Sequence, residues 1–215
     1  MEELGVNINI TKEIAEKCLN ETGIVFLFAP IYHSAMRHVG KTRKDIGLRT
    51  VFNLIGPIVN PASVKNQVMG VYSEALIEPI AKVLRNLGSK RAMVLHGADA
   101  MDEITVTGKT NIAELKDGAV KTYKLDPSDY GFSAANIEDL KGGSTRAENA
   151  NITLSILNGE EKGPKRDVTI LNAAAAIYVS ETVETFEEAI NLAVDSIDSG
   201  KAHAKLNSLV KFTSN

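Results

Sequence analysis

The 215-residue chain has one cysteine, Cys18, so an intramolecular disulfide framework and a thiolate zinc cluster are both excluded. Tryptophan is absent and aromatic residues make up 5%, too few for a platform that stacks single-stranded nucleic acid. Neither charge sign dominates: 24 Lys+Arg stand against 27 Asp+Glu, a net charge of −3. A nucleic-acid binder working through a broad cationic surface is not expected. The longest strongly apolar run, residues 24–30, is far below the ~20 residues of a membrane helix. The first residues, with Glu2, Glu3, Lys12 and Glu13, lack the basic start and apolar stretch of a signal peptide. No G-x-G-x-x-G, no G-x-x-x-x-G-K-[ST] and no G-x-S-x-G occurs, which leaves dinucleotide binding, P-loop chemistry and acyl transfer without support. The expectation is a soluble, cytoplasmic protein with no nucleic-acid or membrane partner.

What is present is ordinary globular material, 44% apolar and 24% charged, enough for one large domain with its own core. Thr11 reads as the N-cap of a charged helix that ends near Gly23. Residues 24–30 form a nearly uninterrupted apolar run and read as a strand buried on both faces. Residues 67–73 alternate into a strand, 75–87 form an amphipathic helix stopped by Gly88, and 91–96 form another apolar strand. Strand, helix, strand at this length favours a crossover in a parallel sheet. Gly108-Lys109 and Asp117-Gly118 are hairpin signals within 103–125. Helical patterns then fill 147–157, 167–179, 185–197 and 201–212. The fold class expected is α/β, with a mixed, largely parallel sheet flanked by helices and a helical C-terminal half.

Asp102 and Glu103 follow the strand 92–96 and a turn of small residues. In open α/β sheets ligands bind just past the carboxyl ends of strands. Adjacent hard carboxylates there suit Mg²⁺, which keeps several waters and a substrate phosphate, although a solvated acidic turn gives the same sequence. Arg43 and Arg49, with His33 upstream, lie in the most basic stretch of the chain. The guanidinium fork matches a carboxylate or phosphate in bidentate fashion; an exposed charged helix face is the alternative. His33 is a candidate base or hydrogen-bond donor, or a satisfied structural residue. Gly142-Gly143-Ser144 fits a phosphate-cradling turn only weakly and a helix-entry loop better.

Four blocks, in order, resemble the anthranilate phosphoribosyltransferase family: FLFAPIYHSAMRHVGKTRKDIGLRTVFNLIGPIVNPA (26–62), HGADAMDEIT (96–105), LKGGSTRAENA (140–150) and GPKRDVTILNAAAA (163–176). The resemblance covers essentially the whole chain. It implies a catalytic domain of the nucleoside phosphorylase and phosphoribosyltransferase type, acting in tryptophan biosynthesis. The reaction implied joins anthranilate to the ribosyl carbon of phosphoribosyl pyrophosphate and releases pyrophosphate. By the same resemblance Arg43 grips the anthranilate carboxylate, and Asp102 and Glu103 hold Mg²⁺ on the pyrophosphate. His33 and Gly56-Pro57 line the anthranilate route. No residue is assigned a covalent or acid–base role, since charge neutralisation and positioning carry such a reaction.

The family's glycine-rich pyrophosphate loop of the GTGGD kind and its small helical domain, which makes the homodimer, are not among residues 1–215. The expectation is therefore an incomplete catalytic domain over 1–215, with little turnover by itself. Two other readings stay open. One is a pyrimidine-nucleoside phosphorylase, similar in fold. The other is a non-catalytic assembly module that pairs with a separate N-terminal chain.

Overall fold

A computed structural model describes residues 1–32 and 52–214. Helix α1 (Lys12–Thr22) starts as expected: the Thr11 hydroxyl accepts from the Ile14 amide, and Gly23 ends the helix at φ 75°. Two short helices follow, α2 (Ala29–Tyr32) and α3 (Phe52–Ile58). The sheet comprises β1 (Asn66–Gly70), β2 (Arg91–Gly97), β3 (Thr110–Lys116) and β4 (Ala119–Leu125), paired in that spatial order. Helix α4 (Ile77–Asn86) carries the chain from β1 to β2, and these two strands are parallel. The helical half comprises α5 (Arg146–Leu157), α6 (Pro164–Val179), α7 (Phe186–Asp198) and α8 (Lys201–Thr213). All four expected C-terminal helices are present, with ends shifted by three residues at most.

Alternation along the strands sends side chains to two faces, each with its own core. Met93, Leu95 and Ile112 pack on one face against Ile156, Ile170, Leu171, Ala174 and Ile190 of α5, α6 and α7. Ala92, Val94, Ala113 and Leu115 pack on the other against Ile77, Ile80 and Leu84 of α4 and Leu54 of α3. β2 is therefore covered on both sides, and six of its seven residues are buried. At its first residue the buried Arg91 pairs with Glu114 at 3.2 Å and lies 4.5 Å from the centre of the Tyr178 ring. That end of the strand is structural.

Two expectations change. The sheet is mixed and flanked by helices, but among the described residues only β1–β2 is parallel; β2–β3 and β3–β4 are antiparallel. The reason is local. Asp117 and Gly118 adopt φ 50° and 74°, the two positive values of a tight I′ hairpin, which reverses the chain directly. Gly108-Lys109 makes no such hairpin and closes a longer loop, where the Ala98 amide donates to the Lys109 carbonyl. The apolar run 24–28 is not a strand either. The Ile24 carbonyl is taken by the Thr22 hydroxyl and the Cys18 thiol, and Val25 packs on the Val6–Cys18–Leu209 cluster beside α1 and α8. None of residues 24–28 is fully buried, Ile24 is exposed, and the Ile24 backbone bonds side chains instead of a ladder.

Candidate functional site

The carboxyl ends of β1 and β2 lie side by side, and the loop from Ala98 to Lys109 crosses them. Gly97 opens the loop: its amide donates to the Met101 carbonyl at 2.8 Å, and the Ala100 amide donates to the Gly97 carbonyl. Beside it the His96 Nδ1 donates to the Val71 carbonyl at 2.8 Å, since a carbonyl can only accept. Asp99 organises the interior of the loop. One carboxylate oxygen accepts from the hydroxyls of Thr105 at 2.5 Å and Thr107 at 2.6 Å, and the other from the Met101 amide at 3.1 Å. Burial works to raise the Asp99 pKa, but these hydrogen bonds together outweigh it and hold the carboxyl below its usual range.

Asp102 and Glu103 stand at the crest. The backbone of Asp102 lies directly on Gly70 at the end of β1: a Cβ there would overlap the Asp102 carbonyl oxygen. After Glu103 the chain dives, and Ile104 is fully buried. Its amide donates to the Asn172 side-chain oxygen of α6 at 2.9 Å, and its carbonyl accepts from the Asn172 side-chain nitrogen at 2.8 Å. Both acidic side chains reach solvent, and among the described residues neither carboxylate has a hydrogen-bond or ion-pair partner. Withdrawal of water by the surrounding loop raises the pKa of Glu103, and the charges of Asp102 and Asp99 raise it further.

Three carboxylates thus crowd one loop with no cation against them among the described residues. The chemistry this donor set fits is a divalent cation of the Mg²⁺ type. Among the described residues no group of three or more His, Cys, Asp or Glu is set to close around a metal. The described residues therefore build no closed Zn²⁺ or Ca²⁺ cage. One or two carboxylates, leaving the remaining positions to water and phosphate, is the pattern Mg²⁺ takes.

Of the other residues named from the sequence, His33 and Arg43 lie outside the described residues. Pro57 is exposed near the end of α3, on the α4 side of the sheet, and a Cβ on Gly56 would meet open space. Gly142-Gly143-Ser144 is a helix-entry loop whose donors are already occupied. The Glu148 carboxylate accepts from the Ser144 amide at 2.5 Å and the Thr145 amide at 3.2 Å, and Asn149 accepts from the Gly143 amide at 3.1 Å. A concavity of about 540 Å³ between α1 and α8, bordered by Ile14, Lys17, Ser208 and Phe212, contains none of the candidate residues. Sequence reasoning missed Gly70, Asp99 and Asn172. The one available signal was Asn172, an amide set among the apolar residues of α6.

An anthranilate phosphoribosyltransferase of Clostridium kluyveri is 50% identical over 212 residues, covering 99% of this chain and 63% of that protein. The crystal structure of the enzyme of the same name from Thermus thermophilus superposes with a TM-score of 0.92 at 38% identity, over 100% of this chain and 63% of that one. The Saccharomyces cerevisiae enzyme, solved in complex with PRPP and Mg, gives 0.89 at 30% identity, over 99% and 61%. The chain therefore spans somewhat less than two thirds of the length of these proteins. No helix among the described residues is long and apolar enough to cross a membrane. Residues 1–203 match the family model described as "Glycosyl transferase family, a/b domain", and the chain belongs to that family.

Proposed function

We propose that this chain forms the metal-holding part of an anthranilate phosphoribosyltransferase, which transfers the phosphoribosyl group of phosphoribosyl pyrophosphate to anthranilate. The observation that carries the reading is the pair Asp102 and Glu103, unpartnered among the described residues on a loop held by Asp99 and Asn172, in a chain 50% identical to a protein of that name. In the reaction the anthranilate amine forms the new C–N bond at the ribosyl carbon, the C–O bond to pyrophosphate breaks, and the amine loses a proton. Mg²⁺ held by the two carboxylates would supply neutralisation of the charge gathering on the departing pyrophosphate. Arg43 would orient anthranilate through its carboxylate, with His33 and Pro57 along its route. Positioning and electrostatics suffice, and no side chain has to act as a nucleophile.

Turnover by the 215 residues alone is expected to be low, because no glycine-rich loop of the GTGGD kind occurs in their sequence. The test joins the chain to the N-terminal third of a related anthranilate phosphoribosyltransferase and follows loss of anthranilate fluorescence with phosphoribosyl pyrophosphate and Mg²⁺. Mg²⁺-dependent loss is expected. It should fall by roughly 10²-fold or more when Asp102→Asn and Glu103→Gln are combined, the scale set by removing charge stabilisation from a transition state. Phosphate-dependent cleavage of thymidine by the joined protein would replace this reading with the nucleoside phosphorylase.

A further inference from the structure

Ile104 follows the acid pair directly, is fully buried, and lies in no strand, so its peptide groups have no ladder to join. A single side chain serves both of them. The Asn172 oxygen accepts from the Ile104 amide at 2.9 Å while its nitrogen donates to the Ile104 carbonyl at 2.8 Å, across 68 residues of sequence. That nitrogen also donates to the Val168 carbonyl one turn back on α6, at 2.8 Å, which fixes the amide's orientation. Asn172 therefore stands where a neighbouring strand would stand. Aspartate has the acceptor without the donor, serine has too few groups, and glutamine is a methylene too long.

On the other side of the pair, the Asp102 backbone rests on Gly70 with no room for a side chain. The two carboxylates are thus carried between a steric stop on β1 and a two-bond clamp from α6. We infer that Asn172 is a positioning residue for Asp102 and Glu103: its carboxamide holds the Ile104 backbone so that both acids meet one divalent cation from a fixed frame. This rests on the metal role proposed above for the pair. Residues that orient metal ligands without touching the metal commonly change affinity by about 10–100-fold when replaced.

The test uses the ¹⁵N-labelled chain and Mn²⁺ as a paramagnetic probe, reading broadening of the amide signals of residues 102–104. Saturable broadening is expected for the unsubstituted chain and its loss for the Asp102→Asn, Glu103→Gln double variant. Broadening that survives the double variant overturns the metal role itself and the inference with it. With that control passed, Asn172→Ala and Asn172→Asp are each expected to raise the Mn²⁺ midpoint by about ten-fold. Exchange of the Ile104 amide should quicken in Asn172→Ala while the amides of β2 and β3 keep their positions. If Asn172→Ala does not fold, Asn172→Asp, which retains the acceptor, decides. A folded variant with faster Ile104 exchange and an unmoved Mn²⁺ midpoint gives Asn172 a structural role only and overturns the inference.

Discussion

Two loops of this chain carry glycine and acidic side chains beside regular elements, and they use the acids in opposite ways. In the loop before α5, Glu148 turns back on the amides of Ser144 and Thr145, and the Thr145 hydroxyl accepts from the Glu148 amide. Its charge completes the helix terminus and leaves nothing for a ligand. In the loop after β2, Asp99 plays the same inward part with Thr105, Thr107 and Met101, while Asp102 and Glu103 are left without partners among the described residues. An acid bonded inside its own loop supports the fold. A pair of acids left unpartnered on such a loop is the arrangement on which the proposed metal role rests. The Glu103 pKa, raised by loss of water and by its acidic neighbours, belongs to the second kind, and the lowered Asp99 pKa to the first.

The sharpest way to break this contrast is to add the same methyl group to both loops. Gly70→Ala drives a Cβ into the Asp102 carbonyl oxygen, and Gly143→Ala drives one into the Glu148 Cβ. Each is an overpacking change and is expected to cost about 1–3 kcal/mol in thermal or urea unfolding. Only Gly70→Ala should also weaken the Mn²⁺ response at residues 102–104, because only that methyl group moves the acid pair. Equal loss of the Mn²⁺ response in both variants would show that the two loops are not independent.

Next in size is Asp99→Asn. It removes a charged acceptor of three hydrogen bonds, each bond to a charged group being worth about 1.5–3 kcal/mol, with part recovered by the threonine hydroxyls, which lie 3.0 Å apart. A net loss of about 2 kcal/mol at neutral pH is expected. The pH dependence has a fixed sign. A carboxyl whose pKa is lowered by folding adds stability above its unfolded-state value and loses that contribution as pH falls through its folded value. Melting curves of the two proteins should therefore be furthest apart near neutrality and converge in acid. A gap that widens in acid would mean that Asp99 is not held by its hydrogen bonds in the folded chain.

Much of this was legible in the sequence and some was not, for physical reasons. The Thr11 cap, the α4 stripe and the four C-terminal helices are written in local patterns of period 3.6 and in capping residues. The position of the acid pair was legible, because small residues after an apolar strand mark an exposed loop at the end of β2. The run 24–28 misled because an apolar composition does not by itself say that a segment joins a sheet; here it stays half-buried beside α1, with the Thr22 hydroxyl and the Cys18 thiol on the Ile24 carbonyl. Nothing in the order of residues 99–103 says that Asp99 faces inward and Asp102 outward. Gly70 and Asn172 are more remote still. Their contacts with the loop span 32 and 68 residues, and only the pairing of β1 with β2 and the docking of α6 bring them there.

The smallest effect sharpens the contrast from within the acid loop. Ala100 holds φ 67° in the turn that links Gly97 to Met101, a left-handed conformation that costs a residue with a Cβ roughly 1–2 kcal/mol. Ala100→Gly removes that cost and adds back roughly 0.5–1 kcal/mol through the greater freedom of the unfolded chain. The net is a gain of about 0–1.5 kcal/mol, or a melting temperature up to roughly 3–6 °C higher for a chain of this length. The exposed side chain of Ala100 takes part in none of the bonds that hold Asp99 or Ile104, so the Mn²⁺ midpoint should not move. A stabilised variant with unchanged Mn²⁺ affinity would place the strain in the turn and the presentation of the carboxylates in the two clamps beyond it. A higher melting temperature accompanied by weaker Mn²⁺ binding would instead make the strained turn itself part of how Asp102 and Glu103 are aimed.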